Sequence, residues 1–237
     1  TLSITSSENI QTPSVSIAGQ SQSVSRVSGY TGWSATYTMR DNDTEGSVSL
    51  SIAFTDTLGN PITTVTSTTN GSAVQFDKTS PTLNQVTAVS TPTADNTPDY
   101  TFSSDQAGTI AYAGGCSSSD TSAVADNNTV SFRKPSGGGL DEGTYSNCTI
   151  RVTDDAENTS DNLSVSSFTI DTTAPSLTQV TAVPTPTRDN ITRYTFTTNE
   201  AGTISYTGGC SSSDNTTAVA NDNITITFNE LADNTYN

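Results

Sequence analysis

The chain has no histidine, and its 237 residues include only eight lysines and arginines, three cysteines and one tryptophan. Without histidine it lacks the commonest general base and a frequent metal ligand, which disfavours an enzyme. Its 24 acidic residues give a formal net charge of −16. A basic surface that neutralises phosphates is therefore excluded, and we expect no nucleic-acid partner. The same charge opposes docking to an anionic membrane surface.

Long apolar runs are also missing, so we expect no membrane insertion in this segment. No signal peptide opens the sequence, and Thr1 is not expected to be the natural start of the protein. Apolar residues make up 31% of the chain, which is low for one large core. Thin modules whose strands keep one face in water fit this composition better. The alternative is a disordered Ser/Thr-rich stalk, which the regular polar/apolar alternation disfavours.

An internal repeat organises the chain. Residues 82–112 return as residues 176–206, with about 19 of 31 positions identical at an offset of about 94. The match continues through Cys116 into Cys210. This offset has the size of one small domain. The last copy stops before a counterpart of Cys148, so we expect it to be incomplete.

The first part of the chain is a more diverged copy. Phe54–Asn60 matches Val152–Asn158, and Phe76–Pro81 matches Ile170–Pro175. The opening residues align with the second strand of the middle copy, so the first strand is expected to be missing. The predicted modules are 1–79, which lacks its first strand, 80–173, which is complete, and 174–237, which lacks its last strands. The linkers are short and contain proline, so we expect a stiff, extended rod.

Short segments of alternating polar and apolar residues, bounded by turn residues, predict strands throughout. In the middle copy the predicted strands are Leu83–Val89, Tyr100–Phe102, Thr109–Tyr112, Thr129–Phe132, Cys148–Val152 and Leu163–Ile170. Six or seven short strands per module predict an all-β sandwich. In the first copy, Trp33 opens a further strand, where a core or edge aromatic is favoured over a sugar-stacking platform.

The strand pattern, the Val-Thr-Asp-x-Ala-x-Asn turn and the Asp-Thr-Thr-Ala-Pro linker together resemble tandem bacterial immunoglobulin-like modules. Such modules form the repeats of large extracellular adhesins and of biofilm-associated-type surface proteins. The resemblance covers essentially the whole chain. It implies tandem immunoglobulin-like β-sandwiches, export to the bacterial cell surface, and a role as a stalk, adhesive arm or fibre.

The three cysteines predict one complete disulfide. Cys116 and Cys148 belong to one module, and their bond would close a loop of about 30 residues. Cys210 corresponds to Cys116, and its partner would fall near position 239, so we expect it to be unpaired by truncation. A free thiol or a bond between subunits are the alternatives. Zinc is disfavoured because the cysteines are not closely paired. An oxidising, extracellular location follows from the disulfide.

Acidic residues near the module ends predict calcium sites. In an immunoglobulin-like sandwich the relevant loops meet at the module junctions. Calcium takes six to eight oxygen ligands and would make a junction rigid. The candidate residues at the first junction are Asp41, Asp43, Glu45, Asp77, Asp105, Asp154 and Asp155. Those at the second are Asp141, Glu142, Asp171 and Glu200. The alternative is that these are solvated turn residues, and Asp154 could instead accept hydrogen bonds from turn amides.

Two functions remain from the sequence. The modules are either a stiff extracellular spacer that projects adhesive domains, or subunits of a self-assembling fibre or sheath built by module–module or donor-strand contacts. The expected partners are other copies of the chain, its neighbouring modules, or ligands on host or neighbouring cells. Acidic residues that could serve a glycosidase lie in turns shared between copies, so we expect no enzyme activity.

Overall fold

The computed structural model describes residues 1–214 and 216–236, and over these residues the chain is all-β without a helix. Every pair of named strands is antiparallel. The chain divides into two compact units, Thr1–Ile170 and Asp171–Asn237. Three separate hydrophobic clusters form, two in the first unit and one in the second. The all-β prediction is therefore confirmed.

Residues 1–79, the first segment, form three small sheets. Its strands are β1 (Leu2–Thr5), β2 (Ser14–Ile17), β3 (Gln20–Gln22), β4 (Val24–Ser28), β5 (Gly32–Ala35), β6 (Gly46–Ser47), β7 (Leu50–Ala53) and β8 (Gln75–Phe76). The strand orders are β1-β5-β4, β3-β2-β7 and β6-β8. The cluster of this segment includes Ile10, Val15 and Trp33. Trp33 is 4% exposed, so it is a core aromatic.

Residues 80–170, the middle segment, contain the largest core. Its strands are β9 (Leu83–Thr87), β10 (Asp99–Ser104), β11 (Gly108–Ala113), β12 (Ser122–Ala123), β13 (Asn127–Ser131), β14 (Gly143–Tyr145), β15 (Thr149–Thr153), β16 (Leu163–Ser164) and β17 (Phe168–Ile170). The sheets have the orders β13-β10-β9, β12-β11-β15-β16 and β14-β17. One cluster collects side chains from all three, including Phe102, Ile150 and Phe168.

Residues 171–236, the third segment, repeat only part of this arrangement. The strands are β18 (Leu177–Thr181), β19 (Arg193–Thr198), β20 (Gly202–Thr203), β21 (Thr217–Ala218) and β22 (Ile224–Thr227). They form sheets of order β18-β19-β22 and β20-β21. The pairing of β19 with β22 repeats that of β10 with β13, since Tyr194 faces Ile226 as Tyr100 faces Val130.

The prediction of one strand over Leu163–Ile170 was wrong, because this stretch forms two strands in different sheets. β16 pairs with β15, whereas β17 pairs with β14. The buried positions change parity between them, from Val165 to Phe168 and Ile170. A continuous strand keeps one parity on each face, so the chain must turn over between these positions.

Candidate functional site

A turn that follows β15 lies at one end of the middle segment. One carboxylate oxygen of Asp154 accepts hydrogen bonds from the backbone amides of Ala156 (2.8 Å) and Asn158 (2.9 Å). The other accepts the Asn158 side-chain amide at 2.9 Å. Burial opposes ionisation of Asp154, but these hydrogen bonds outweigh it and hold the pKa of the carboxyl below its usual range. The turn-forming role predicted for Asp154 is confirmed.

The same turn follows β7 in the first segment, as the sequence match predicted. Asp56 accepts the backbone amides of Leu58 and Asn60, each at 2.8 Å, and the Asn60 side-chain amide at 2.6 Å. The hydrogen bond from that Asn60 side chain is the main cause of a lowered Asp56 pKa. The fourth turn residue has positive φ in both copies, 92° at Gly59 and 70° at Glu157. The two turns therefore share one backbone conformation.

The linker after β8 is bound to the first segment through Glu45 and Lys78. The backbone amide of Lys78 donates to Glu45 Oε1 at 2.7 Å, and the Thr79 hydroxyl donates to the same carboxylate at 2.8 Å. Lys78 Nζ donates to the backbone carbonyls of Asp41 (2.5 Å) and Asp43 (3.2 Å). The hydrogen bond from the Lys78 amide is the main reason that the pKa of Glu45 is lowered.

The same linker is also bound to the middle segment. Asn158 Nδ2 donates to the carbonyl of Asp77 at 3.3 Å, and Gln106 Nε2 donates to that of Thr79 at 2.9 Å. The backbone amide of Thr82 donates to Asp105 Oδ1 at 2.7 Å. Asn158 belongs to the Asp154 turn, so this turn connects β15 with the linker. The linker is thus hydrogen-bonded to both the first and the middle segment.

Asp43 has a structural role in the loop that holds Lys78. Its two carboxylate oxygens accept the Tyr37 hydroxyl, each at 2.8 Å, and one accepts the Arg40 amide at 2.7 Å. The side chain is buried, at 9% exposure. The hydrogen bond to Asp43 is the largest cause of a raised pKa of Tyr37. The Asp43 side chain therefore fixes the loop, while its carbonyl receives the lysine.

Three further predicted calcium ligands accept hydrogen bonds from residues one or two positions away in the sequence. Asp77 Oδ1 accepts the Thr79 amide at 3.0 Å. Asp171 Oδ1 accepts the Thr173 amide at 3.3 Å, and Glu200 Oε1 accepts the Asn199 side-chain amide at 2.9 Å.

The remaining candidates lie at the surface. They are Asp41, Asp141, Glu142 and Asp155, all of which are exposed. Asp141 forms a salt bridge with Lys134 at 2.8 Å. Over residues 1–214 and 216–236, no three acidic or cysteine side chains form a group that could hold one metal ion. Calcium binding stays a prediction.

Thermal melting tests the calcium prediction. It requires that calcium raise the melting temperature and that the rise be lost when Asp77 and Asp154 are both changed to Asn. Asp161→Asn, a change of the same charge at an exposed residue of the middle segment outside the candidate set, is the matched control. A melting curve that is identical with calcium and with chelator removes the prediction.

The predicted disulfide between Cys116 and Cys148 is present, with Cα atoms 5.3 Å apart and both residues 2% exposed. Gly114 and Gly115, which precede Cys116, allow the chain after β11 to come close to Asn147, two residues before β15. A Cβ on Gly114, whose φ is 80°, would lie 2.0 Å from the carbonyl oxygen of Asn147. Cys210 is a free, half-buried cysteine.

Sequence reasoning missed the residues that bind the linker from outside the carboxylate set. The sequence analysis assigned no role to Lys78, Gln106 or Asn158. The sequence signal for the role of Lys78 was a single lysine in a linker that follows an acidic loop. A lysine ammonium group at that position can bind the oxygen atoms of the loop in place of a metal ion.

No protein-family model and no curated protein matches this chain. In the part of the chain that the structure describes, no helix has the length and apolar character needed to cross a membrane.

Proposed function

We propose that this chain is a structural repeat region of an extracellular or cell-surface bacterial protein, in which immunoglobulin-like β-sandwich modules form a stiff spacer that projects adhesive domains. The repeated Asp turn and the repeated strand pairing support a modular design. The middle core, which draws side chains from three sheets, supports a sandwich. Catalysis has no part in this proposal.

The observation that carries the proposal is the linker bound on both sides. On one side, Lys78 of the linker donates hydrogen bonds to the Glu45 carboxylate and to the backbone carbonyls of residues 41 and 43. On the other side, residues 77–82 bond to Asp105, Gln106 and Asn158. A bend at this joint must break several of these bonds together, because they converge on six residues. A linker of this kind transmits orientation from one module to the next.

The disulfide supports the proposed location. Cytosolic thiols are kept reduced, whereas a buried structural disulfide persists in oxidising compartments. The low content of basic residues also fits a surface that stays soluble without binding nucleic acid. Other copies of the chain, neighbouring modules and cell-surface ligands are the proposed partners.

Hydrogen exchange of the linker amides tests the proposed stiffness. We expect the amides of Lys78 and Thr82, which donate to Glu45 and Asp105, to be protected in the intact chain. Changing Glu45 to Ala, which removes the acceptor of the Lys78 amide, and Lys78 to Met should remove protection at residue 78 while leaving the strands of both segments protected. Glu8→Ala, at an exposed acidic residue elsewhere in the first segment, is the control. Random-coil exchange throughout residues 77–82 of the unaltered chain would contradict the spacer.

A fibre subunit is the second candidate, and one observation favours it. All five residues of β18 are exposed, including Leu177 at 70% and Val180 at 48%. An exposed strand with apolar side chains offers an edge to another chain. Electron microscopy over a concentration series separates the candidates: isolated particles at every concentration support the spacer, and ordered assemblies support the fibre.

A further inference from the structure

Asn70 lies in an exposed loop of the first segment, shortly before β8. It is the only asparagine of the sequence that is followed by glycine. Gly71 is exposed as well, its φ is 72°, and a Cβ built on it would meet no atom within 4 Å. Because glycine has no side chain, its backbone nitrogen is open to the neighbouring asparagine and to water.

Two hydrogen-bond donors converge on the side-chain oxygen of Asn70. The Ser72 backbone amide donates to Asn70 Oδ1 at 3.1 Å, and the Ser72 hydroxyl donates to the same oxygen at 2.8 Å. Thr68 anchors Ser72, because its hydroxyl donates to the Ser72 carbonyl at 2.6 Å. The Ser72 hydroxyl lies farther from Thr68 Oγ1, at 3.4 Å, so its proton has the shorter contact with Asn70. Donors placed in this way stabilise negative charge that develops on the oxygen.

The backbone nitrogen of Gly71 is the nucleophile nearest in sequence to the Asn70 side-chain carbonyl. Its hydrogen bond to the Thr68 carbonyl is long, at 3.4 Å, whereas amide hydrogen bonds are usually about 2.9–3.0 Å. The amide proton is therefore weakly held and open to removal by hydroxide. Residues 57–76 include no charged side chain, so no carboxylate of this stretch repels the resulting anion.

Asn199 has a similar pair of donors but no glycine after it. Its Oδ1 accepts the Ser176 backbone amide at 2.6 Å and the Ser176 hydroxyl at 3.0 Å. The next residue is Glu200, whose side chain hinders attack by its backbone nitrogen and whose negative charge opposes loss of the amide proton. Asn199 is therefore an internal reference that has the donors without an open nucleophile.

We propose that Asn70 is a self-modification site, which converts to aspartate and isoaspartate in the folded chain with water as the only co-reactant. Hydroxide removes the Gly71 amide proton, and the nitrogen attacks Asn70 Cγ. The N–Cγ bond forms, the Cγ–Nδ2 bond breaks, and the departing amide group takes a proton from water and leaves as ammonia. Water then opens the succinimide at either carbonyl. The reaction adds one negative charge to an uncharged stretch, and the converted fraction grows with the age of the chain.

Incubation of the intact chain at mildly alkaline pH tests the site, with peptide mapping by mass spectrometry as the readout at each asparagine. We expect Asn70 to convert first, at least about tenfold faster than Asn199, because only Asn70 combines both donors with an open nucleophile. Ser72→Ala should slow the conversion about three- to tenfold, because it removes one hydrogen bond to the developing charge. Ser67→Ala, the same change at an exposed serine of this loop, is the matched control and should leave the rate unchanged.

The same chain unfolded in urea separates the loop geometry from the Asn-Gly sequence. Conversion at Asn70 should be slower in urea than in the folded chain, because unfolding removes the placed donors, and Ser72→Ala should have no effect there. The folded and unfolded rates of the unaltered chain can be compared even if Ser72→Ala disturbs the loop. A folded rate at or below the unfolded rate would overturn the proposal. Folded Ser72→Ala that converts as fast as the unaltered chain, or faster, would also overturn it, since the bonds to Oδ1 would then only restrain the side chain.

Discussion

The middle and third segments share a strand pattern, yet one core is closed and the other is open. Tyr100 is fully buried in the middle segment, whereas its counterpart Tyr194 is only partly buried, although both strands pair with equivalent partners. The core that contains Tyr100 includes side chains of residues 148–170, which are distant from it in sequence. A local sequence match therefore fixes which strands pair, while burial depends on a strand far along the chain.

The comparison also shows what sets strand length. The sequences around β11 and β20 are nearly identical, but six residues form a ladder in one and two in the other. β15 supplies the five-residue register that extends β11. Without such a partner, the residues after Thr203 leave the ladder. The two stretches differ only by Ser205 in place of Ala111 and Thr207 in place of Ala113. Intrinsic strand propensity does not explain the shorter ladder, because threonine favours a strand more than alanine does.

The largest test of the comparison is a matched pair of core truncations, Phe132→Ala and Phe228→Ala. Phe132 is fully buried and its ring lies 5.3 Å from Tyr100 and 6.0 Å from Phe168. Its truncation should cost about 3–5 kcal/mol in the middle segment. Phe228→Ala should cost less than half as much in the third, because fewer atoms cover that ring. Native-state hydrogen exchange measures each segment separately. Equal losses would mean that the two cores are closed to the same degree.

Removing the disulfide should make the middle segment more like the third. Changing Cys116 and Cys148 together to Ser frees a loop that spans 32 residues in sequence. The loss should be about 3 kcal/mol, because the unfolded chain regains loop entropy. Denaturant unfolding followed by exchange at Ile150 reports it. Cys210→Ser is the control and should change nothing in the middle segment; a comparable loss there would contradict the assignment.

A smaller, pH-dependent effect is expected at the Asp154 turn of the middle segment, which the Asp56 turn repeats in the first segment. The folded pKa of Asp154 is lowered, so the unfolded state binds more protons in acid. Its contribution should be complete above the usual carboxyl pKa of about 4 and lost as the pH falls below it. Asp154→Asn should flatten the stability curve in that range. Asp155→Asn, one residue further along the turn, should leave the curve's shape unchanged; if it flattens the curve equally, the turn bonds are not the cause.

The smallest expected effect is a gain in the third segment. Thr192 is 4% exposed and its hydroxyl has no hydrogen-bond partner among the described residues. Thr192→Val should raise stability by about 1 kcal/mol, because it removes a buried unpaired polar atom at nearly constant volume. Thr198 is equally buried, but its hydroxyl accepts the Glu200 amide, so Thr198→Val should be destabilising. A loss in both variants would show that the Thr192 hydroxyl is satisfied in solution.

Much of the fold could be predicted from alternation and from the repeat. The pairing of Cys116 with Cys148 and the Asp154 turn also follow from sequence, because each depends on a local motif or on the count of cysteines. The short strands β12 and β14 were missed because two or three residues are too few to show an alternation of polar and apolar side chains. The break within Leu163–Ile170 could have been predicted, because the apolar residues change from odd to even positions after Val165.

The linker contacts were beyond sequence reasoning for a different reason. Lys78, Gln106 and Asn158 meet only after both cores have folded, and each of these residue types is common at solvated surfaces. The acidic residues drew attention to calcium, since charge is visible in a sequence and the direction of a side chain is not. Their hydrogen bonds to nearby amides show how turn chemistry and metal chemistry use the same residue types.

The Cys116–Cys148 bond has a mechanical consequence if the chain is pulled from its two ends. An unfolding segment normally lengthens by the full contour of its residues, roughly 3.3–3.6 Å for each. The pulling force passes through the disulfide bond and bypasses the 32-residue span between the two cysteines. This span therefore cannot extend, and unfolding releases about 110 Å less contour length. Under load, unfolding of a segment with such a disulfide lengthens the chain by a smaller step. When the load is released, the segment refolds from a less extended state.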